Sequence, residues 1–141
     1  MLVYAHRRES EHHEAALVWL RRLAEGSTPW TIPVFCLGEF VRVVTHPRVF
    51  DPPSTLDQTL SALDALLQSP SLRILNPEAE YPRLLIEAVR AADARGNLAF
   101  DAQIAALCAE HGVSSLLTFD RDFSRFRNLQ VIAPGEPPTQ K

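Results

Sequence analysis

The stretch NLAFDAQIAALCAEHG (97–112), followed by SSLLTF (114–119), carries most of the information about the fold. Ala105, Leu107 and Cys108 fall on apolar faces of a helix that Gly112 closes, because glycine takes the left-handed conformation a helix end favours. The run SSLLTF then reads as a buried strand, and DRDFSRF (120–126) as a turn. NLQVIAP (128–134) supplies a last strand, and GEPPTQK (135–141) is expected to be a frayed tail.

Upstream the same alternation repeats. LVYA (2–5) reads as the end of a buried strand, and Ser10 as the N-cap of an amphipathic helix over 10–24 that stops at Gly26. TIPV (31–34) is a short strand leading into a helix over about 35–45, which must end before Pro47. RVFDPPST (48–55) is a loop whose Ser/Thr end caps a helix over 56–68. SLRILN (71–76) is strand-like, and 79–93 is a helix that tolerates Pro82 in its first turn. Strands alternating with helices predict an α/β fold with a largely parallel sheet.

The 141 residues suit one domain, expected over 1–134, and no apolar run approaches the roughly 20 residues of a membrane span. Cys36 and Cys108 stand alone and read as reduced thiols; with no secretory signal in MLVYAHRRES, the expectation is a cytoplasmic protein. The net charge of −3 argues weakly against a general nucleic-acid coat but not against a nuclease, whose carboxylates contribute negative charge.

Three acids occupy positions that this fold tends to use for ligands. Glu39 lies on the helix after the second strand, Asp101 in the first turns of a helix, and Asp120 just past a buried strand. Oxygen-only acidic donors suit Mg²⁺ or Mn²⁺, and a cation is the natural reason to group carboxylates that otherwise repel. Each residue also has a bland reading: Glu39 paired with Arg42, Asp101 complementing a helix dipole, Asp120 or Asp122 shaping an Asx turn. The five histidines form no zinc pattern, and both Gly-rich phosphate motifs are missing. Arg7, Arg42 and Arg121, near the acidic motifs in sequence, are the candidates for phosphate contacts.

Three longer motifs resolve this ambiguity: VYAHRxxSxHHxxA near the start, GEFxRVxTHPRVF in the middle, and LxFDAQIAALxxEHG followed by LxTFDRDFxRF. Together they closely resemble VapC-type PIN-domain proteins, the toxin ribonucleases of toxin–antitoxin pairs, over nearly the whole chain. The resemblance implies a three-layer α/β/α sandwich with a mostly parallel sheet and Mg²⁺- or Mn²⁺-dependent cleavage of structured RNA of the tRNA or rRNA class. It implies inhibition by a cognate VapB-like antitoxin, and a homodimer. It places the catalytic, metal-holding acids on Glu39, Asp101 and Asp120, with Asp122 and the Thr118 hydroxyl auxiliary. The family normally opens with an Asp-x-Asn triplet ahead of the apolar run seen here as MLVYA; Met1 stands just after its place. The expectation is therefore a truncated first strand lacking the first acid, through a start assigned too late or through true shortening. The competing readings are a catalytically impaired PIN-like module that binds RNA or antitoxin without cutting and, more remotely, a metal-dependent phosphatase.

Overall fold

A computed structural model describes residues 1–135. The expected tail (135–141) falls almost wholly outside the described residues. The chain forms two compact units, residues 1–74 and the residues from Leu75 onward.

The first unit opens with a surprise. Leu2–His6 forms a short helix, α1, rather than the end of a strand. The Ala5 and Arg7 N–H groups close helical turns onto the carbonyls of Met1 and Val3. A run of four apolar residues has no period that separates strand from helix, and Leu2, Ala5 and His6, at helical spacing, line one apolar pocket. Helix α2 (His13–Glu25) starts one turn later than expected. Ser10 does not cap it directly: its Oγ accepts from the His12 N–H in the preceding turn, at 3.3 Å.

Strand β1 (Trp30–Pro33) runs into α3 (Val34–Val44), and the Thr45 hydroxyl donates to the Val41 carbonyl at that helix's end. Helix α4 (Leu56–Leu67) begins with a full capping box. The Thr55 side chain accepts from the Gln58 N–H, and the Gln58 side chain accepts from the Thr55 N–H. Strand β2 (Leu72–Leu75) is the neighbour of β1 in a two-stranded sheet. Ala16, Ile32, Phe40 and Val44 form the buried core here, with Thr59 fully enclosed because its hydroxyl is satisfied by the Thr55 carbonyl.

In the second unit, α5 (Tyr81–Ala92) packs along α6 (Leu98–Glu110). Helix α6 is buried at Ala102 and at every position from Ile104 to Cys108, so it is a central rather than an amphipathic surface helix. It ends in a Schellman motif, in which Val113 N–H bonds the Cys108 carbonyl and Gly112, at φ 67°, bonds Ala109. Strand β3 (Ser115–Leu117) pairs in parallel with β4 (Gln130–Ile132), Ser115 opposite Gln130 and Leu117 opposite Ile132. The expectation of a buried strand here is corrected: Ser115 is exposed, and Leu116 and Leu117 are half-buried. Between the strands lies a 3-10 helix, Arg121–Arg125. The α/β class expected from the sequence thus holds, with helices and parallel strands interleaved. No helix among the described residues is long and apolar enough to cross a membrane.

Candidate metal centre

The second unit brings three acids together. Carboxylate oxygens of Asp101, Asp120 and Asp122 all lie within 4.8 Å of one another. Asp101 is half-buried in the first turn of α6, and Asp120 and Asp122 are exposed at the start of the 3-10 helix.

The local sequence dictates this geometry. The β3–β4 ladder continues one rung past Leu117, because Thr118 N–H donates to the Ile132 carbonyl at 3.1 Å. The Thr118 hydroxyl then accepts from the Asp120 N–H at 3.1 Å, turning the chain sharply. The Asp120 carboxylate accepts from the Asp122 N–H at 2.9 Å, an Asx turn that caps the 3-10 helix. The turn is anchored on its other side by Phe123 and Phe126, both buried, with ring centroids 6.4 Å apart. Asn128 Nδ2 donates to the Ala105 carbonyl of α6 at 3.2 Å, one helical turn beyond Asp101. Two separate segments are thereby fixed against each other, and the acids sit at their junction.

The Asx-turn and metal-ligand readings of Asp120 are not rivals. One carboxylate has several lone-pair sites, so an oxygen that accepts an N–H leaves its partner oxygen for a cation. The donor set, three carboxylates and no sulfur or imidazole, fits a hard cation such as Mg²⁺ or Mn²⁺. Asp122, expected as an auxiliary, brings a carboxylate oxygen into the same cluster; its i, i+2 spacing from Asp120 in the DRD sequence was the available signal.

Glu39 belongs to the first unit. It is exposed on α3 and close enough to the α-amino group of Met1 to act on its charge, together with Cys36. Burial holds that amino group below its usual range, and these two neighbours act in the opposite direction. Among the described residues Glu39 makes no ion pair with Arg42, which is itself exposed on the same helix.

The arginines expected to meet phosphate differ sharply. Arg121 is exposed between the two clustered acids of its turn. Arg7 is engaged inside the first unit: it donates to Ser54 Oγ and the Pro52 carbonyl, each at 2.9 Å, and pairs with Glu9. Its guanidinium also lies 4.3 Å from the centre of the Phe50 ring. For Arg7 the structure favours a clamp on the loop before α4 over a contact with substrate. His6 shares that clamp, with Nε2 3.0 Å from Ser54 Oγ, and burial, aided by the Arg7 charge, lowers its pKa from 6.5.

The PIN domain family model matches residues 1–129. The chain is 37% identical over 139 residues to the VapC ribonuclease Mb2897 of Mycobacterium bovis, covering 99% of this chain and 94% of that protein. Ribonuclease VapC43 of Mycobacterium tuberculosis matches to the same extent. Ribonuclease VapC31 of that species is 31% identical over 134 residues, covering 95% of this chain and 94% of its own length. With the motifs, the α/β fold and the acidic cluster in agreement, the chain belongs to the PIN-domain family and, within it, to the VapC ribonucleases.

Proposed function

We propose that this protein is a metal-dependent endoribonuclease toxin that cleaves structured RNA of the tRNA or rRNA class and is inhibited by a cognate VapB-like antitoxin. The observation that carries this reading is the convergence of Asp101, Asp120 and Asp122 within 4.8 Å, where local hydrogen bonds join their two segments. The residues proposed to hold Mg²⁺ or Mn²⁺, when it is bound, through carboxylate oxygen are Asp101, Asp120 and Glu39, with Asp122 assisting. When bound, the cation polarises a scissile phosphate and lowers the pKa of an attacking water. Thr118 holds the Asp120 backbone in place, while Arg121 and Arg42 meet phosphate oxygens of the RNA. No side-chain nucleophile is required. The domain spans 1–134, and the functional protein is a cytoplasmic homodimer.

The test is cleavage of purified tRNA and rRNA with Mg²⁺ or Mn²⁺, with and without chelator, for wild type and Asp101→Asn. Cleavage should require metal and fall by 100-fold or more in the variant, roughly the upper end of what even outer-shell changes cost a metal site. Cleavage by Asp101→Asn at the wild-type rate would overturn the site. Binding of Mn²⁺, read independently by titration calorimetry, should weaken in the same variant.

A further inference from the structure

Phe100 is 65% exposed, the most exposed of the large apolar side chains among the described residues. Its place makes this unusual. It stands in the first turn of α6, a helix whose later residues from Ile104 to Cys108 are all buried, and it directly precedes Asp101. Consecutive Cα atoms are about 3.8 Å apart, so Phe100 is the chain neighbour of one acid of the cluster, its side chain leaving the helix about 100° round from that of Asp101. No ring stacks on it among the described residues. In the segment that carries the other two acids, Arg121 lies between them in sequence and Arg125 and Arg127 follow; all three are exposed and in no ion pair among the described residues. The two segments that carry the acids thus also carry an exposed aromatic ring and exposed cations. That is the combination a single strand of nucleic acid requires, with stacking for a base and charge for the backbone.

We propose that Phe100 is a substrate-binding residue, the platform on which an unpaired base beside the scissile phosphate stacks. The inference rests on the ribonuclease reading above and adds the part of the substrate that the site selects: a nucleotide displayed in a loop or bulge. Stacking is tolerant of base identity, so Phe100 selects for an unpaired base rather than for a particular one. The exposed arginines of the Asp120 segment meet backbone phosphates of the same strand.

The experiment uses RNA hairpins with 2-aminopurine placed in turn at each loop position, and matching hairpins with an abasic site at each position. Binding to wild type, Phe100→Ala, Phe100→Leu and Phe100→Trp is read by fluorescence and titration. One loop position should be quenched by wild type and by Phe100→Trp, with about tenfold weaker binding for Phe100→Ala and Phe100→Leu. An abasic site at that position should weaken wild type about tenfold and leave Phe100→Ala unchanged, as expected of two groups that share one interaction. Wild-type binding by Phe100→Leu, or an abasic penalty equal in wild type and Phe100→Ala, overturns the proposal. So does a change in sedimentation of Phe100→Ala alone, which would assign the ring to a protein contact. Because binding is read without cleavage, the two readings separate. Normal cleavage by Asp101→Asn defeats the metal site, whereas an inert Asp101→Asn beside a fully competent Phe100→Ala defeats only the stacking role.

Discussion

The Asp122 N–H donates to the Asp120 carboxylate across 2.9 Å, so one acid of the cluster is held in place by the backbone of another. Asp120 consequently has two separable duties, shaping the turn and presenting charge. Asp120→Asn retains an oxygen acceptor for the turn but loses the charge. It should fold like wild type and lose the thermal stabilisation that Mn²⁺ gives, about 2.7 kcal/mol for wild type at a hundredfold excess over Kd. Asp120→Ala should show the same metal defect and, in chelator, an additional loss of about 1 kcal/mol on denaturant titration. Equal metal-free stability of the two variants would remove the turn-shaping duty.

Thr118 provides the acceptor for the Asp120 N–H. Thr118→Ser keeps a hydroxyl and should preserve cleavage. Thr118→Val keeps the shape and strand propensity without the acceptor, and should lower metal affinity and cleavage by about 10- to 100-fold, as removal of a ligand's supporting bond commonly does. Parallel Mn²⁺ titration and RNA cleavage of both variants check this.

Arg7 tests the difference between a clamp and a substrate contact. Its side chain is only 13% exposed and engages Ser54, Pro52, Glu9 and the Phe50 ring. Lysine cannot reproduce that planar fork, so Arg7→Lys should destabilise folding by roughly 1.5–3 kcal/mol, the range for hydrogen bonds to a charged group. Cleavage per folded molecule, measured well below the melting temperature, should be unchanged. An activity loss with unchanged stability would return Arg7 to the RNA.

His6 gives the same clamp a pH dependence. His6 Nε2 lies 3.0 Å from Ser54 Oγ, which accepts from Arg7, so the ring sits beside a guanidinium that disfavours its protonated form. Burial and Arg7 place the folded pKa below the ordinary 6.5. As pH falls through 6.5 the unfolded chain takes up its proton first. The contribution of His6 is therefore complete above 6.5, declines as pH falls towards the folded value, and declines no further below it. Denaturant titrations from pH 7.5 to 5 should show this loss in wild type and a flatter profile in His6→Gln. Identical profiles would show that His6 does not titrate on folding.

These tests fall where sequence and structure divide. The α4 start was legible because Thr55 and Gln58 are a local chemical signal, and α6 was legible because Gly112 marks its end unambiguously. Asp101 and Asp120 could be nominated from their motifs, but their approach depends on Asn128 and Ala105, a bond between residues that no spacing rule connects. LVYA failed for the opposite reason: four apolar residues satisfy two periods at once, and the bonds of α1 decided between them. The exposure of Phe100 had no signal either, since an apolar residue inside an apolar helix reads as core until its neighbours are placed.

The double use of Thr118 limits how this region can vary in length. Its N–H ends the strand ladder and its hydroxyl starts the turn, so no slack separates sheet from cluster. A residue inserted between Thr118 and Asp122 would have to rotate the carboxylates away from Asp101 or break the ladder, and related chains should show a constant spacing there. The connection from Ala92 to Leu98 has no such constraint from a strand, and length changes should gather in it instead.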